Sequence, residues 1–147
     1  TYYPDWPSRM YYTTLAERFI LPQGATNAII KRVALNLPEL YEDAVSLSVF
    51  LYDDEDQLPG TLLYTRDIDN ITTTGWNEFG FEYTLGQAGI FYLGIPTSLE
   101  YALGVDDNSS AVNGVYHKYA ATTPPMNYWA ASSVNYGIKA LVEYTLH

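Results

Sequence analysis

The chain has 147 residues, 48% of them hydrophobic, which suits one folded domain with a full core and is too short for two. Its 17 acidic residues against seven lysines and arginines give a net charge of −10, so a nucleic-acid partner, which needs a basic surface, is not expected. Cysteine is absent and no apolar run approaches the ~20 residues that cross a bilayer, so neither thiol chemistry nor membrane insertion is expected.

The first 14 residues differ in character from the rest and are predicted to form an extended arm. Two prolines, Pro4 and Pro7, exclude a regular central strand there. Aromatic rings in such an irregular segment suit contact with a second copy of the chain, by adding a strand to a neighbour's open sheet edge. An arm that folds back on its own domain is an equally supported alternative. The candidate assembly residues are Tyr2, Tyr3, Trp6, Tyr11 and Tyr12.

Short runs rich in β-branched and aromatic residues then follow one another, each bounded by Gly, Pro, Asn or Asp. No stretch of ten residues shows a helical period, although residues 39–44 could make one helical turn. The predicted strands are 15–21, 28–37, 45–52, 61–66, 76–83, 89–96, 101–105, 115–120, a short piece at 128–129, and 136–144. This pattern predicts an all-β, two-sheet antiparallel β-sandwich of jelly-roll type over residues 15–147.

Two of these runs indicate how the core is organised. Residues 75–83 alternate large aromatic residues with small or polar ones, which predicts a strand with one buried face. Residues 88–96 are almost uninterruptedly apolar, which predicts burial on both faces. A short glycine-containing turn at 85–87 is predicted to join the two as a hairpin. The predicted core is Phe19, Ile30, Val33, Leu35, Leu47, Val49, Leu51, Leu63, Trp76, Phe79, Phe81, Phe91, Leu93, Ile138, Ala140 and Val142, and Trp129 is also expected to be buried.

Three acidic segments, predicted as loops, offer the oxygen ligands that calcium prefers. One precedes a predicted turn at Leu58-Pro59-Gly60, one spans residues 67–70, and one follows Val105. None has the spacing of an EF-hand, and Asp and Asn are ordinary turn residues, which is the plainer interpretation. Structural calcium is therefore the one cofactor suggested. Its candidate ligands are Asp53, Asp54, Asp56, Asp106 and Asp107.

Catalysis is not expected from the residue types present. His147 is the last residue, and His117 lies in a strand pattern with no nucleophile elbow in the chain. A glycosidase-like carboxylate pair stays open among 17 acids, but small sandwiches seldom offer the cleft that it needs. Two sequons, at Asn70 and Asn108, are possible glycosylation sites in predicted loops.

Tyrosine is unusually frequent, at 15 of 147 residues. Half-buried sheet positions account for most of these rings, because tyrosine combines an apolar ring with a polar tip. The remainder suit contact surfaces, and flat rings stack on the apolar faces of sugars. The candidate ligand-binding residues are Trp6, Tyr116, Tyr119 and Tyr128.

The order of several short motifs resembles a known group of proteins. Residues 16–19 (AERF) with 22–24 (PQG), residues 49–53 (VFLYD) with 58–63 (LPGTLL), residues 75–79 (GWNEF) with 85–93 (LGQAGIFYL), and residues 129–143 carry the likeness. Their arrangement resembles extracellular β-sandwich accessory modules of secreted and cell-surface bacterial and archaeal proteins. The resemblance covers residues 15–144 and implies an extracellular or cell-surface location, with roles that range from carbohydrate binding to spacing and adhesion. It transfers no binding residue.

We therefore expect a non-catalytic extracellular binding or adhesion module whose partner is carbohydrate or another cell-surface polymer. The alternative is a structural subunit of an extracellular filament, sheath or virion surface that associates with copies of itself through the arm. Because the chain begins at Thr1, a mature or excised product is expected.

Overall fold

The computed structural model describes residues 3–4, 12–86, 89–106, 114–119, 127–132 and 134–146. Within them every regular element is a β-strand and every strand pair is antiparallel, which confirms the all-β prediction. The strands are β1 (Tyr3–Pro4), β2 (Tyr12–Ile20), β3 (Ala25–Leu37), β4 (Glu39–Leu40), β5 (Val45–Glu55), β6 (Leu58–Ile71), β7 (Gly75–Gly86), β8 (Ile90–Pro96), β9 (Tyr101–Ala102), β10 (Gly104–Asp106), β11 (Gly114–Tyr119), β12 (Asn127–Ala131), β13 (Asn135–Tyr136) and β14 (Ile138–Leu146). None of the described segments is a helix long and apolar enough to span a membrane.

The strands form one large sheet and three smaller ones. The large sheet has six strands in the order β12-β11-β2-β8-β5-β6, and the second has three in the order β14-β3-β7. Strands β1-β10-β13 and β4-β9 form two small sheets. The chain therefore passes repeatedly between sheets rather than building each one from consecutive hairpins.

The main hydrophobic core is shared by residues of the six-stranded sheet, the β14-β3-β7 sheet and the small sheets. Alternate residues of β3 are buried, as expected for a strand with one inward face. Leu51 and Leu93 contribute from the large sheet, and Val33 and Phe81 from the smaller one. Predicted core members with full burial are Ile30, Val33, Leu35, Leu47, Val49, Leu51, Phe81, Phe91, Leu93 and Ile138, while Phe19, Phe79, Ala140 and Val142 pack against them partly buried.

Two predicted core residues, Leu63 and Trp76, are exposed instead. The cause is the period-two alternation of side chains along a strand. In β7 the inward positions belong to Phe81 and its alternate neighbours, which leaves Trp76 on the outer face, where the Lys139 Nζ lies 4.2 Å from its ring centre. In β6, Tyr64 takes the inward position opposite Leu51, so Leu63 is outside the core.

The predicted hairpin between residues 75–83 and 89–96 is wrong, although both strands exist. Strand β7 pairs with β3, whereas β8 pairs with β2 and β5 in the other sheet. A strand that is apolar on both faces is stable at the centre of a sheet, where neighbours cover both of its edges. The connection after Gly86, whose φ is +84°, therefore crosses between sheets.

Three predicted loops and turns are also replaced by strand. Asp56 and Gln57 both have positive φ, 54° and 67°, so they form the two-residue turn between β5 and β6. This turn places Leu58-Pro59-Gly60 and residues 67–70 within β6. The expected helical turn at 39–44 is absent from the structure, because residues 39–40 form β4 and pair with β9.

Gly114 of β11 lies close to the small β1-β10-β13 sheet, and a substitution at this position measures how tightly the two pack. A Cβ at this position would overlap the backbone oxygen of Val134 and lie 3.1 Å from the Tyr136 ring. We expect Gly114→Ala to lower the free energy of unfolding by about 1–3 kcal/mol, as overpacking does. Gly80→Ala is the matched control, because a Cβ there has no atom within 4 Å. Chemical denaturation measures both, and equal effects of the two changes would contradict this packing.

Candidate functional site

The six-stranded sheet curls strongly enough to bring its two end strands together. Strands β12 and β6 lie at opposite ends of its strand order, with four strands between them. They nevertheless contact each other, and the Trp129 ring of β12 lies edge-on to the Tyr52 ring of β5 with centroids 5.4 Å apart. The β11–β12 hairpin thus folds over the face of the sheet that points away from the main core.

Small side chains make room for this hairpin. Ala16 and Gly94 are the small residues, and they lie opposite each other across β2 and β8. On the other side of β8, Gly94 lies opposite Phe50 of β5. A Cβ on Gly94 would lie 3.1 Å from the Leu15 backbone oxygen and 3.2 Å from the Ala16 Cβ. Trp129 packs against Ala16 and Tyr92, which are both fully buried. Strand β8 is therefore covered on both faces, which confirms the prediction made from its apolar run.

A polar group lies beside these small residues in the next row. Arg18, Tyr92, Tyr52 and Leu62 are laterally paired across β2, β8, β5 and β6. The Tyr92 hydroxyl donates a hydrogen bond of 2.7 Å to the Asp54 Oδ1, and the Arg18 Nη1 donates one of 3.3 Å to the Gln57 Oε1. Cation, carboxylate and hydroxyl are thereby held in fixed relative positions.

Burial controls the protonation of the two tyrosines. It raises the pKa of Tyr52 to about 12. It also raises the pKa of Tyr92, an effect strengthened by the Asp54 carboxylate and opposed by Arg18. Both shifts favour the neutral phenol, which keeps its O–H donor.

Three aromatic rings form a row on the outer face of the six-stranded sheet. The Phe50 and Tyr52 rings are 6.2 Å apart and tilted by 59°, and Trp129 follows at 5.4 Å from Tyr52. All three side chains are only partly buried. We call Arg18, Phe50, Tyr52, Asp54, Tyr92 and Trp129 the outer-face cluster. It combines apolar ring surface with oriented donors and acceptors, the composition typical of a small-molecule site.

The sequence-predicted ligand residues lie close to this cluster in the chain. Tyr116 and Tyr119 belong to β11 and Tyr128 to β12, the hairpin that carries Trp129. Their backbones are placed, but their rings and the whole of Trp6 lie outside the described residues. Trp129, expected in the main core, instead packs partly buried against Ala16 and Tyr92 on the outer face.

The predicted calcium ligands are not gathered into one site within the described residues. Asp53 Oδ1 accepts a hydrogen bond of 2.6 Å from the Thr61 backbone N–H, while Asp54 accepts from Tyr92. Asp56 lies in the β5–β6 turn and Asp106 in β10. Among the described residues no group of three or more His, Cys, Asp or Glu side chains could hold a metal ion. Asp107 lies outside them, so calcium beside Asp106 stays a prediction.

The arm is described at two positions before β2. Tyr3 and Pro4 pair with Val105 and Gly104 of the same chain, so at this point the arm adds a strand to its own domain. Tyr12 is the first residue of β2 and lies opposite Lys118 of β11. Strand β2 therefore begins three residues before the predicted boundary at Leu15. Tyr2, Trp6 and Tyr11 lie outside the described residues.

The sequons are described only at Asn70. It is exposed on edge strand β6, with a φ of +61°. Asn108 lies outside the described residues. Glycosylation at Asn70 and at Asn108 therefore stays a prediction.

Glu17 is a buried carboxyl group on the opposite side of β2 from Arg18. It is 7% exposed, and its Oε2 accepts a hydrogen bond of 3.0 Å from the Tyr136 backbone N–H. Its Oε1 has no hydrogen-bond partner among the described residues. Burial raises the pKa of Glu17 to about 8, against the opposing effects of the Tyr136 N–H and of Arg18.

The candidate site residues predicted from the sequence do not include Arg18, Tyr52 or Tyr92. A usable signal was present, because Glu17 and Arg18 are consecutive charges in an otherwise apolar strand and so point to opposite faces. The segment Tyr52-Asp53-Asp54 likewise places a ring and a carboxylate two residues apart, on one face.

Comparison of the chain with protein-family models, with curated proteins and with solved structures gives no match in any of the three.

The buried Glu17 predicts an unusual dependence of stability on pH. Burial raises the pKa of Glu17 from its ordinary value of 4.5 to about 8 in the folded chain, so the unfolded chain binds fewer protons between these values. Its contribution to stability is therefore complete below pH 4.5 and is lost as pH rises to 8, by on the order of 5 kcal/mol. We expect Glu17→Gln to raise the melting temperature above pH 8 and leave it nearly unchanged below pH 4.5.

The exposed Glu42 provides the control for this measurement. Thermal melts of Glu42→Gln should follow the wild type at every pH. A Glu17→Gln variant with the same pH profile as the wild type would contradict the buried, neutral carboxyl group.

Proposed function

We propose that the chain is a non-catalytic, carbohydrate-binding module of a secreted or cell-surface protein, and that the outer-face cluster is its binding surface. The observation that carries the proposal is the row of Phe50, Tyr52 and Trp129 beside Arg18 and Asp54. Sugar rings present apolar C–H faces that suit flat aromatic platforms, and hydroxyl groups at their rims that pair with charged and amide side chains.

The rigidity of the cluster supports binding at low entropic cost. Tyr92 is fully buried and tied to Asp54, and Tyr52 contacts a ring on each side. Side chains already ordered in the free protein lose little further freedom when a ligand arrives. Because the chain carries a net charge of −10, the proposed ligand is a neutral rather than an anionic polysaccharide.

The finer architecture belongs to the same proposal. We assign the six-stranded sheet and the β14-β3-β7 sheet to the two layers of a jelly-roll sandwich, of the kind found in extracellular accessory modules. Support comes from the main core shared by both sheets and from the strand order, in which neighbours such as β2 and β8 are distant in sequence.

Two aromatic substitutions test the binding surface. We expect Tyr52→Ala and Trp129→Ala each to weaken binding to a neutral polysaccharide at least about tenfold, because each removes part of the stacking surface. Trp76→Ala is the matched control, since it removes an exposed ring from the other sheet. A glycan array identifies the ligand, and titration calorimetry with and without calcium measures affinity.

Thermal melts confirm that the variants are folded before binding is compared. Absence of binding to every glycan, with and without calcium, would reject the proposal. An equal loss in Trp76→Ala would move the binding surface away from the outer-face cluster.

A structural subunit that assembles through its N-terminal segment is the second candidate. The pairing of Tyr3 and Pro4 with β10 is a short ladder at a sheet edge, and the same segment of a neighbouring copy would make identical contacts by exchange. Electron microscopy of the purified chain tests this. Filaments or sheets that disappear in Trp6→Ala would favour assembly over glycan binding.

A further inference from the structure

Among the described residues, the edge of β14 opposite to β3 is unpaired along most of its length. On one side β14 pairs with β3 from Ile138 to Leu146. On the other side, within the described residues, strand pairing stops just before it, where the Gly137 N–H donates to the Gly104 carbonyl of the small sheet. Beginning at Ile138, alternate residues therefore direct backbone N–H and C=O groups toward an unpaired edge.

Strands β6 and β7, which are also edges of the two main sheets, carry features that disfavour further pairing, and β14 does not. Strand β6 contains Pro59 and a positive φ at Asn70, and β7 has a positive φ at Glu82. Strand β14 has neither a proline nor a described residue of positive φ. Both register shifts in its ladder place the extra residue in β3, so β14 itself is regular.

Large apolar side chains surround this open edge. Ile20 is 64% exposed, Leu141 55% and Tyr144 41%. They border a groove floored by Phe19 and Phe91, whose rings are stacked at 5.2 Å. An exposed edge of this kind, regular and flanked by apolar residues, is typical of a strand that pairs with another chain.

We propose that β14 pairs antiparallel with β14 of a second copy of this chain, about a two-fold axis at Leu141. In this register Lys139 lies opposite Glu143 of the second copy, and Glu143 lies opposite Lys139 of the second copy. Both pairs are on the outer face, where the two Leu141 side chains lie opposite each other. The inner face then opposes Ala140 to Val142. The sequence of β14 is thus complementary to itself in charge and in shape.

Two constraints select this register. Paired residues in a ladder must share a face, so the axis has to pass through a residue and not between two. The open edge begins at Ile138, so an axis at Leu141 pairs residues 138–144 and an axis at Val142 pairs residues 138–146, and the side-chain match decides between them. An axis at Val142 would oppose Leu141 to Glu143, which pairs an apolar side chain with a charge.

The product is a continuous six-stranded sheet, β7-β3-β14-β14-β3-β7, joined by a ladder about 24 Å long. Leu141 is covered in it, together with the groove beside Tyr144. The outer-face cluster belongs to the other sheet and stays open, so the dimer would present two copies of it.

Crosslinking tests the axis directly, because the chain has no cysteine of its own. Antiparallel partners have Cα atoms about 4.5–5.5 Å apart, within disulfide range. We expect the full-length Leu141→Cys variant to form a covalent dimer under mild oxidation. Leu62→Cys is the matched control, 49% exposed on the other sheet, and should stay mostly monomeric. Equal crosslinking of the two variants would overturn the proposal.

Charge reversal tests the register by sedimentation of the native chain. The wild type should show a concentration-dependent dimer. Lys139→Glu and Glu143→Lys should each self-associate at least about tenfold more weakly, because two contacts per dimer become repulsive. An equimolar mixture of the two variants should associate as the wild type does, since every cross-strand pair is then attractive.

Three results would overturn the proposal: a wild type that stays monomeric at all concentrations, a dimer indifferent to either reversal, or a mixture that associates no better than its components. Thermal melts exclude unfolded variants, and the double variant K139E/E143K should recover the dimer if either single change lowers stability.

Discussion

The need to cover both faces of β8 governs the arrangement of this chain. Phe91, Leu93 and Ile95 point into the main core, while Tyr92 and Gly94 point the other way. The main core covers only Phe91, Leu93 and Ile95. The β11–β12 hairpin covers Tyr92 by folding over the outer face, and this draws β12 against β6. The outer-face cluster is thus a consequence of burying a central strand on both of its faces.

Most of the fold follows from local patterns in the sequence. Alternation in β3 and β7 and the apolar run of β8 identify strand type and burial, because side-chain period and solvent exposure are local properties. Pairing partners are not local. Residues 75–83 and 89–96 are separated by a glycine-containing turn, yet the energy gained by placing β8 between β2 and β5 outweighs the short connection.

The prediction of a turn at Leu58-Pro59-Gly60 fails for a related reason. Pro59 and Gly60 favour a turn, but Asp56 and Gln57 adopt positive φ and close the hairpin earlier. Proline is tolerated in β6 because this strand lies at a sheet edge. Whether a strand is central or at the edge depends on the whole topology, which no single segment encodes.

The outer-face cluster is harder to foresee than the core. Its members come from β2, β5, β8 and β12, and only the curl of the sheet brings Trp129 to Tyr52. Arg18, the charge on the outer face of β2, marks that face but does not identify its neighbours.

The volume balance beneath Trp129 has a consequence for evolution. The small side chain of Ala16 leaves space for the indole ring that packs against it, so positions 16 and 129 share one fixed volume. A larger residue at position 16 would displace the hairpin unless position 129 became smaller at the same time. In homologous chains these sites should therefore covary, and chains that lose the indole should gain bulk on β2.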